Sequence, residues 1–182
     1  MNRKVTYFLI LTFLMSFTAQ SSVGFQQKLE HCPDPEVKKR LLAFENDGIE
    51  KACFTYDLEK VITYAESFKG TKHKMGGIDK TGIDCSGLVY SAHAKYGVQL
   101  PHSSQQQARF GLVIPTFSEL KRGDLVFYYN SYKTANFITH VGIYLGHGKM
   151  LHTSSSKGVI ISDVDDKYYW GERFLFGTRL NK

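Results

Sequence analysis

The stretch Gly82-Ile83-Asp84-Cys85-Ser86-Gly87-Leu88-Val89-Tyr90 constrains this chain most, because it places a cysteine where a turn gives way to a helix. Leu88, Val89, Ala92 and Tyr96 recur after it at helical spacing, and Gly97 supplies a stop. The spacing predicts a helix from Cys85 to Lys95 with the thiol in its first turn. Unpaired backbone N–H groups and the positive end of the helix dipole act there, and both favour thiolate over thiol. A nucleophilic cysteine is one reading. A small buried core residue is the other, since free cysteine is usually buried.

A nucleophilic thiol needs a base within hydrogen-bonding reach and a third group to orient that base. Two strand-like runs, Thr139 to Gly146 and Lys149 to Ser154, carry His140 and His152, and Gly146-His147-Gly148 between them reads as a hairpin turn. Adjacent antiparallel strands bring such side chains together, so His140 can be the base and His152 its orienter. Backbone N–H groups at the helix start, that of Cys85 included, are the main oxyanion donors on this reading. No His-Glu-x-x-His or equivalent ligand set occurs, so neither a metal nor a cofactor is expected.

Taken with Leu100-Pro101, Lys121-Arg122-Gly123-Asp124-Leu125-Val126-Phe127, His140-Val141-Gly142-Ile143-Tyr144 and His152, the run Asp84-Cys85-Ser86-Gly87 closely resembles the NlpC family of bacterial cell-wall cysteine peptidases. The resemblance extends from Tyr64 to Thr178, and its strength lies in the order and spacing of the motifs. It implies a compact papain-like fold and hydrolysis of peptide bonds in peptidoglycan stem peptides or cross-links through an acyl-enzyme. Cys85 is then the nucleophile, His140 the base and His152 the third polar residue, with His73, Asp84, Ser86 and His102 near the oxyanion or the substrate.

Two positions depart from the family pattern. Where the family usually carries a tyrosine beside the nucleophile, the landmarks Gly70 and Gly76-Gly77 bring His73, which either takes over the phenol's part or is an exposed loop histidine. Where family members often have arginine, His102 stands, and a shorter, titratable residue changes how a substrate carboxylate is held. The alternatives are an acyltransferase or amidase on a related fold and a non-catalytic cell-wall binding module. The order of Cys85 before His140 disfavours the former, and the presence of both groups disfavours the latter. A secreted effector against competing bacteria would use the same chemistry.

At the N-terminus, Arg3 and Lys4 precede an apolar run from Val5 to Phe17 and the small residues Ala19 and Ser21, the pattern of a secretory signal peptide over residues 1–21. The run falls short of the roughly 20 apolar residues of a membrane span, so an uncleaved anchor is the weaker reading. Export to the periplasm or the extracellular space follows, with no stable membrane association after cleavage. Loss of Arg3 and Lys4 takes the formal charge from +6 to +4. The lysines are scattered rather than blocked, so they read as a solvated surface and no nucleic-acid partner is expected.

Residues 22–55 form an N-terminal extension that holds Cys32 and Cys53. Export to an oxidising compartment favours a Cys32–Cys53 disulfide that leaves Cys85 free, the alternative being two unpaired core thiols. Pro35 to Phe44 reads as a helix capped by Asp34. His31 lacks the spacing and the fourth ligand of a zinc site.

Residues 56–182 form the catalytic domain. It opens on a helix from Asp57 to Lys69, with Leu58, Val61, Ile62, Ala65 and Phe68 on one face and Gly70 as the stop. A short helix over Gln105 to Phe110 takes Ser103 or Ser104 as its cap. Arg122-Gly123-Asp124 is a turn signal rather than an integrin motif, and Asn130 to Asn136 is a loop at the mouth of the cleft. Strands are expected at Leu125–Tyr129, Ile138–Leu145, Lys149–Thr153, Val159–Ile161 and Phe174–Phe176. Helices first and strands after mark an α+β fold with an antiparallel sheet of about five strands. Trp170, with Tyr168 and Tyr169, reads as packing ahead of a sugar platform.

Overall fold

The structure, a computed structural model, describes residues 23–48 and 53–181. The expected leader over residues 1–21 lies outside them. Helix α1 (residues 23–30) leads to α2 (Pro35–Asn46), where the Asp34 carboxylate accepts from the N–H groups of Glu36 and Val37 and Pro35 occupies the first turn. Both helices bury their apolar faces on the sheet: the Phe25 and Phe44 rings lie 5.1 and 6.0 Å from Phe176. Residues 23–46 therefore share one core with the rest of the chain.

Helix α3 (Leu58–Glu66) starts at Asp57, which accepts from the Lys60 N–H, and the chain leaves it through Gly70 at φ 82°. A small hairpin, β1 (Ile78–Asp79) and β2 (Gly82–Ile83), delivers the backbone to α4 (Cys85–Ala94). Helix α5 (Ser104–Gln107) is shorter than expected. Neither serine caps it through its side chain, because the Ser104 hydroxyl donates instead to the Ile138 carbonyl at 3.1 Å and ties α5 to the sheet.

Six strands follow: β3 (Leu112–Ile114), β4 (Leu125–Tyr129), β5 (Ile138–Gly146), β6 (Lys149–Ser154), β7 (Gly158–Asp163) and β8 (Phe174–Arg179). They form one antiparallel sheet in the order β3-β8-β4-β5-β6-β7. The α+β arrangement is as expected, with β3 as an additional edge strand. Its three residues, between Gly111 and Pro115, are too few to show an alternation. Side chains alternate across the sheet as the pleat requires, except where a register shift of β8 against Phe127 and Tyr128 sends Phe174 and Phe176 to opposite faces. Leu125, Phe127, Ile143, Leu151 and Phe176 join the core with the helices, and Val126, Tyr128, Tyr144, Met150 and Phe174 form a second cluster on the other face.

The Arg122-Gly123-Asp124 triplet is a turn, with Gly123 at φ 93°. Arg122 forks onto Glu59 at 2.8 and 2.9 Å, and the buried Asp124 receives Arg179 Nε and Nη2 at 2.8 and 2.7 Å. Burial pushes the Asp124 carboxyl up, and Arg179 opposes that shift.

Cys32 and Cys53 are not joined, contrary to expectation. Cys32 donates to the Asp34 carbonyl at 3.5 Å and lies near Tyr129 at the end of β4. Cys53 lies near Tyr56, which also feels Asp124 just before the start of β4.

His93, on the buried face of α4, donates from Nδ1 to the Val89 carbonyl at 2.8 Å, which leaves Nε2 buried without a partner among the described residues. Burial lowers its pKa to about 4. An unfolded histidine titrates near 6.5, so the unfolded chain binds the extra proton first. Stability is therefore highest above pH 6.5 and falls as pH drops towards 4. Acidification from pH 7.5 to 5 is expected to remove about 2 kcal/mol through this residue alone. In His93→Leu, that part of the loss should be absent from urea titrations at the two pH values.

Candidate active site

The site is built outward from the start of α4. Asp84 is 6% exposed. Its Oδ1 accepts from the Gly87 N–H at 2.7 Å, the Ser86 hydroxyl at 2.9 Å and His102 Nε2 at 3.1 Å, and its Oδ2 accepts from the Gly76 N–H at 2.7 Å. Burial alone would raise its carboxyl, yet these donors together hold it below the usual carboxylate range. Gly87 lets the 76–77 connection approach, since a Cβ there would collide with the Gly77 carbonyl. The neighbouring strand is tied in as well, the Thr153 hydroxyl donating to the Asp84 carbonyl at 3.3 Å.

Cys85 follows as the first residue of α4, half-buried and lining the cleft. Its thiol differs from expectation, for its pKa is pushed up to about 12. Burial is the main cause and the Asp84 carboxylate the second, while the N–H groups of Val141, Ser86 and Cys85 itself pull the other way. The helix terminus does favour the thiolate. The carboxylate that caps the helix and the low-dielectric surroundings outweigh it.

On the sheet, the β5–β6 hairpin turns through His147 and Gly148, both at positive φ (51° and 71°), the requirement of a tight two-residue turn. Its register pairs Tyr144 with Met150 and Ile143 with Leu151. Continued one step, it sets His152 across from Gly142 and diagonal to His140. A Cβ on Gly142 would stand 2.9 Å from Met150 Sδ and 3.4 Å from His152 Cβ, so the bare glycine leaves His152 room to lean towards His140. His140 Nε2 and His152 Nδ1 are 3.0 Å apart.

The chain continues to β7, where His152 Nε2 lies 3.0 Å from Ser162 Oγ. If His140 Nε2–H donates to His152 Nδ1, then His152 Nε2–H donates to Ser162 and His140 Nδ1 is left bare as the base. Burial holds both rings neutral: His140 well below the ordinary histidine value, with His152 and His73 adding to the shift, and His152 at about 4. The resting pair is thus thiol and imidazole.

Two contributors escaped the sequence reading. Ser162 could have been found by carrying the β6–β7 register from Ser154↔Gly158 to Met150↔Ser162, which sets the serine diagonal to His152. Trp170 stacks on His140 with ring centroids 4.7 Å apart at 28° and meets His152 at 5.0 Å and 79°. It reaches them from the turn before β8, and no periodicity marks that placement.

Cys85, His140, His152, His73, Asp84, Ser86 and His102 all line one cleft of about 1080 Å³, together with Ser131, Tyr132 and Asn136 from the β4–β5 loop. His73 is held there by a backbone bridge to Ile83. His102 stacks on Tyr90 at 5.8 Å as well as binding Asp84. The Ser86 hydroxyl is turned to Asp84. Among the described residues, no group of three or more His, Cys, Asp or Glu side chains is arranged to hold a metal ion.

The sequence profile described as the NlpC/P60 family matches residues 70–179, three fifths of the chain and every residue of this site named above. The chain belongs to the NlpC/P60 family. It is 38% identical over 112 residues to a Haemophilus influenzae protein named probable endopeptidase NlpC homolog, covering 61% of this chain and 56% of that one. It is also 38% identical over 141 residues to murein DD-endopeptidase MepS/murein LD-carboxypeptidase of Escherichia coli, covering 76% and 72%. Among solved structures, the peptidoglycan hydrolase RipB of Mycobacterium tuberculosis matches with a TM-score of 0.56 and 34% identity, over 69% of this chain and 65% of that one. An NlpC/P60 domain is thus what this chain shares with them.

Two outcomes test the geometry. Alkylation of Cys85 by iodoacetamide, followed by peptide mass spectrometry, should keep accelerating beyond pH 9 with no plateau near neutrality; a plateau at pH 6–7 would show a resting ion pair. Ser162→Ala removes one hydrogen bond of about 1 kcal/mol. Its kcat should fall about fivefold to tenfold with KM little changed.

Proposed function

We propose that this protein is an exported cysteine peptidase that hydrolyses peptide bonds in peptidoglycan stem peptides or their cross-links. One observation carries the reading: the unbroken sequence of hydrogen-bonding groups His140–His152–Ser162 that ends in the cleft where Cys85 lies. The names of the Haemophilus and Escherichia relatives, an endopeptidase and a murein endopeptidase, support the same reaction class.

In this mechanism Cys85 Sγ attacks the carbonyl carbon of the scissile bond while its proton passes to His140 Nδ1. The carbonyl oxygen takes up negative charge and is received by backbone N–H groups at the start of α4, that of Cys85 among them. Collapse of this intermediate breaks the C–N bond, and the leaving amine collects the proton from His140. Water then attacks the thioester, giving its proton to His140. The acid product leaves as the thiol is restored. His152, held by Ser162, keeps the His140 ring in one tautomer throughout. The serine-lined wall at Ser154, Ser155, Ser156 and Ser162 suits a polar peptide.

The apolar run behind Arg3 and Lys4 supports export. Among the described residues no helix is long and apolar enough to cross a membrane. The test is digestion of purified peptidoglycan by the protein and by Cys85→Ala, with released fragments identified by mass spectrometry. New muropeptides are expected from the unmodified protein alone, and their masses name the bond. Equal release by both proteins, or none by either, would overturn the proposal.

A further inference from the structure

Trp170 is the only tryptophan in the chain, and it stands against the base. Its ring lies face to face with His140, at an angle to Tyr128 at 4.8 Å, and nearly perpendicular to His152 and to Tyr169, the latter at 4.7 Å. The turn that carries it is fastened on several sides. Gly171 N–H donates to the Asp166 carbonyl at 2.8 Å, and the Tyr169 hydroxyl donates to the Ser131 carbonyl at 2.9 Å. Arg173 donates to the carbonyls of Asn130 and Tyr169 at 3.2 and 2.7 Å, with its guanidinium over the Tyr169 ring. So anchored, the indole cannot swing away without breaking bonds to the loop at the cleft mouth.

Proton transfer from Cys85 puts a positive charge on a ring with little to receive it. Around His140 stand His152 on β6, His73 in the connection after α3, Tyr128 on β4, and Cys85 and Asp84 at the start of α4. Asp163 and Asp166 lie further along the cleft wall. Asp84 is already engaged by four donors, and among the described residues no carboxylate bonds to His140. The group stacked on its face is an indole. Aromatic faces, Trp most of all, attract cations stacked on them, and more strongly when water is excluded.

We propose that Trp170 is a positioning residue whose indole face fixes the His140 ring and supports the imidazolium formed when Cys85 gives up its proton. The inference rests on the reading of His140 as the base of a cysteine peptidase. It predicts that the minor thiolate–imidazolium form is more populated with Trp170 than without it.

The variants are Trp170→Phe, which keeps a π face, and Trp170→Leu and Trp170→Met, which fill space without one. Thermal melting first establishes which of them fold. For each, the rate of Cys85 alkylation at pH 7 and the kcat and KM on a soluble muropeptide are compared with the unmodified protein. Trp170→Leu is expected to slow alkylation about tenfold and kcat by a similar factor, with KM within about twofold, whereas Trp170→Phe keeps both within about threefold. Trp170→Met must show the same slowing, and it decides the matter should Trp170→Leu not fold. Unchanged alkylation and kcat in the Leu or Met variant would overturn the proposal, as would equal impairment of Phe and Leu, since bulk alone would then explain the effect. If no variant cleaves muropeptide and neither does the unmodified protein, the peptidase reading fails. The alkylation series still measures the support that the indole gives to the imidazole.

Discussion

A buried carboxylate with four donors holds this site together. Removing Asp84 from water would cost several kcal/mol if its oxygens were unmatched, so the groups that match them are fixed with it. Gly76 brings the connection after α3, Gly87 and Ser86 bring the first turn of α4, and His102 brings the approach to α5. Through its backbone Asp84 also takes the Thr153 hydroxyl and donates to Gly77, which joins the helix start to β6 and to the same connection. The position of Cys85 is a consequence of satisfying one charge. The Cys85 thiol is kept protonated first by burial and second by that charge, which together outweigh the helix terminus.

Sheet geometry supplies the other half. His140, His152 and Ser162 lie on one face of three neighbouring strands, each one diagonal step from the next, so their hydrogen bonds run across the ladder rather than along a strand. A slip of one residue in either hairpin would turn one of them to the opposite face. The two-residue turn at His147-Gly148 and the absence of a side chain at Gly142 set the first step. The second follows from the continuous β6–β7 register.

What could be read from the sequence is what local chemistry announces. Caps at Asp34 and Asp57, the turn before Cys85 and stops at Gly70 and Gly97 place three helices within a few residues, and alternation places the longer strands. Cys85, His140 and His152 stand in runs whose periodicity or turn signals are strong. Residues whose role depends on where distant segments meet gave no such signal. Trp170 belongs to a short turn between strands, and Ser162 looks like the polar end of an apolar run. The Cys32–Cys53 bridge, not formed in the structure, shows the same limit. Compartment and count say that a bridge is favourable, but only the fold says whether the two thiols meet. Ser104 looked like a cap because its hydroxyl's partner, the Ile138 carbonyl, is 34 residues away.

The departure at His102 follows from the same anchor. An arginine at this position would present five donors in a planar fork, enough to bind Asp84 and still grip a second carboxylate. An imidazole has two nitrogens. Nε2 is committed to Asp84 at 3.1 Å, and the ring is stacked on Tyr90, so only Nδ1 remains for anything entering the cleft. Substrate carboxylates must then be held by other groups or less tightly, and a bidentate clamp is not available. His73 stands where the resemblance places a phenol, held at the cleft by its backbone bridge to Ile83. Both imidazoles line the same cleft as Cys85 and Asp84, so a change of side chain at either position reaches whatever the cleft holds.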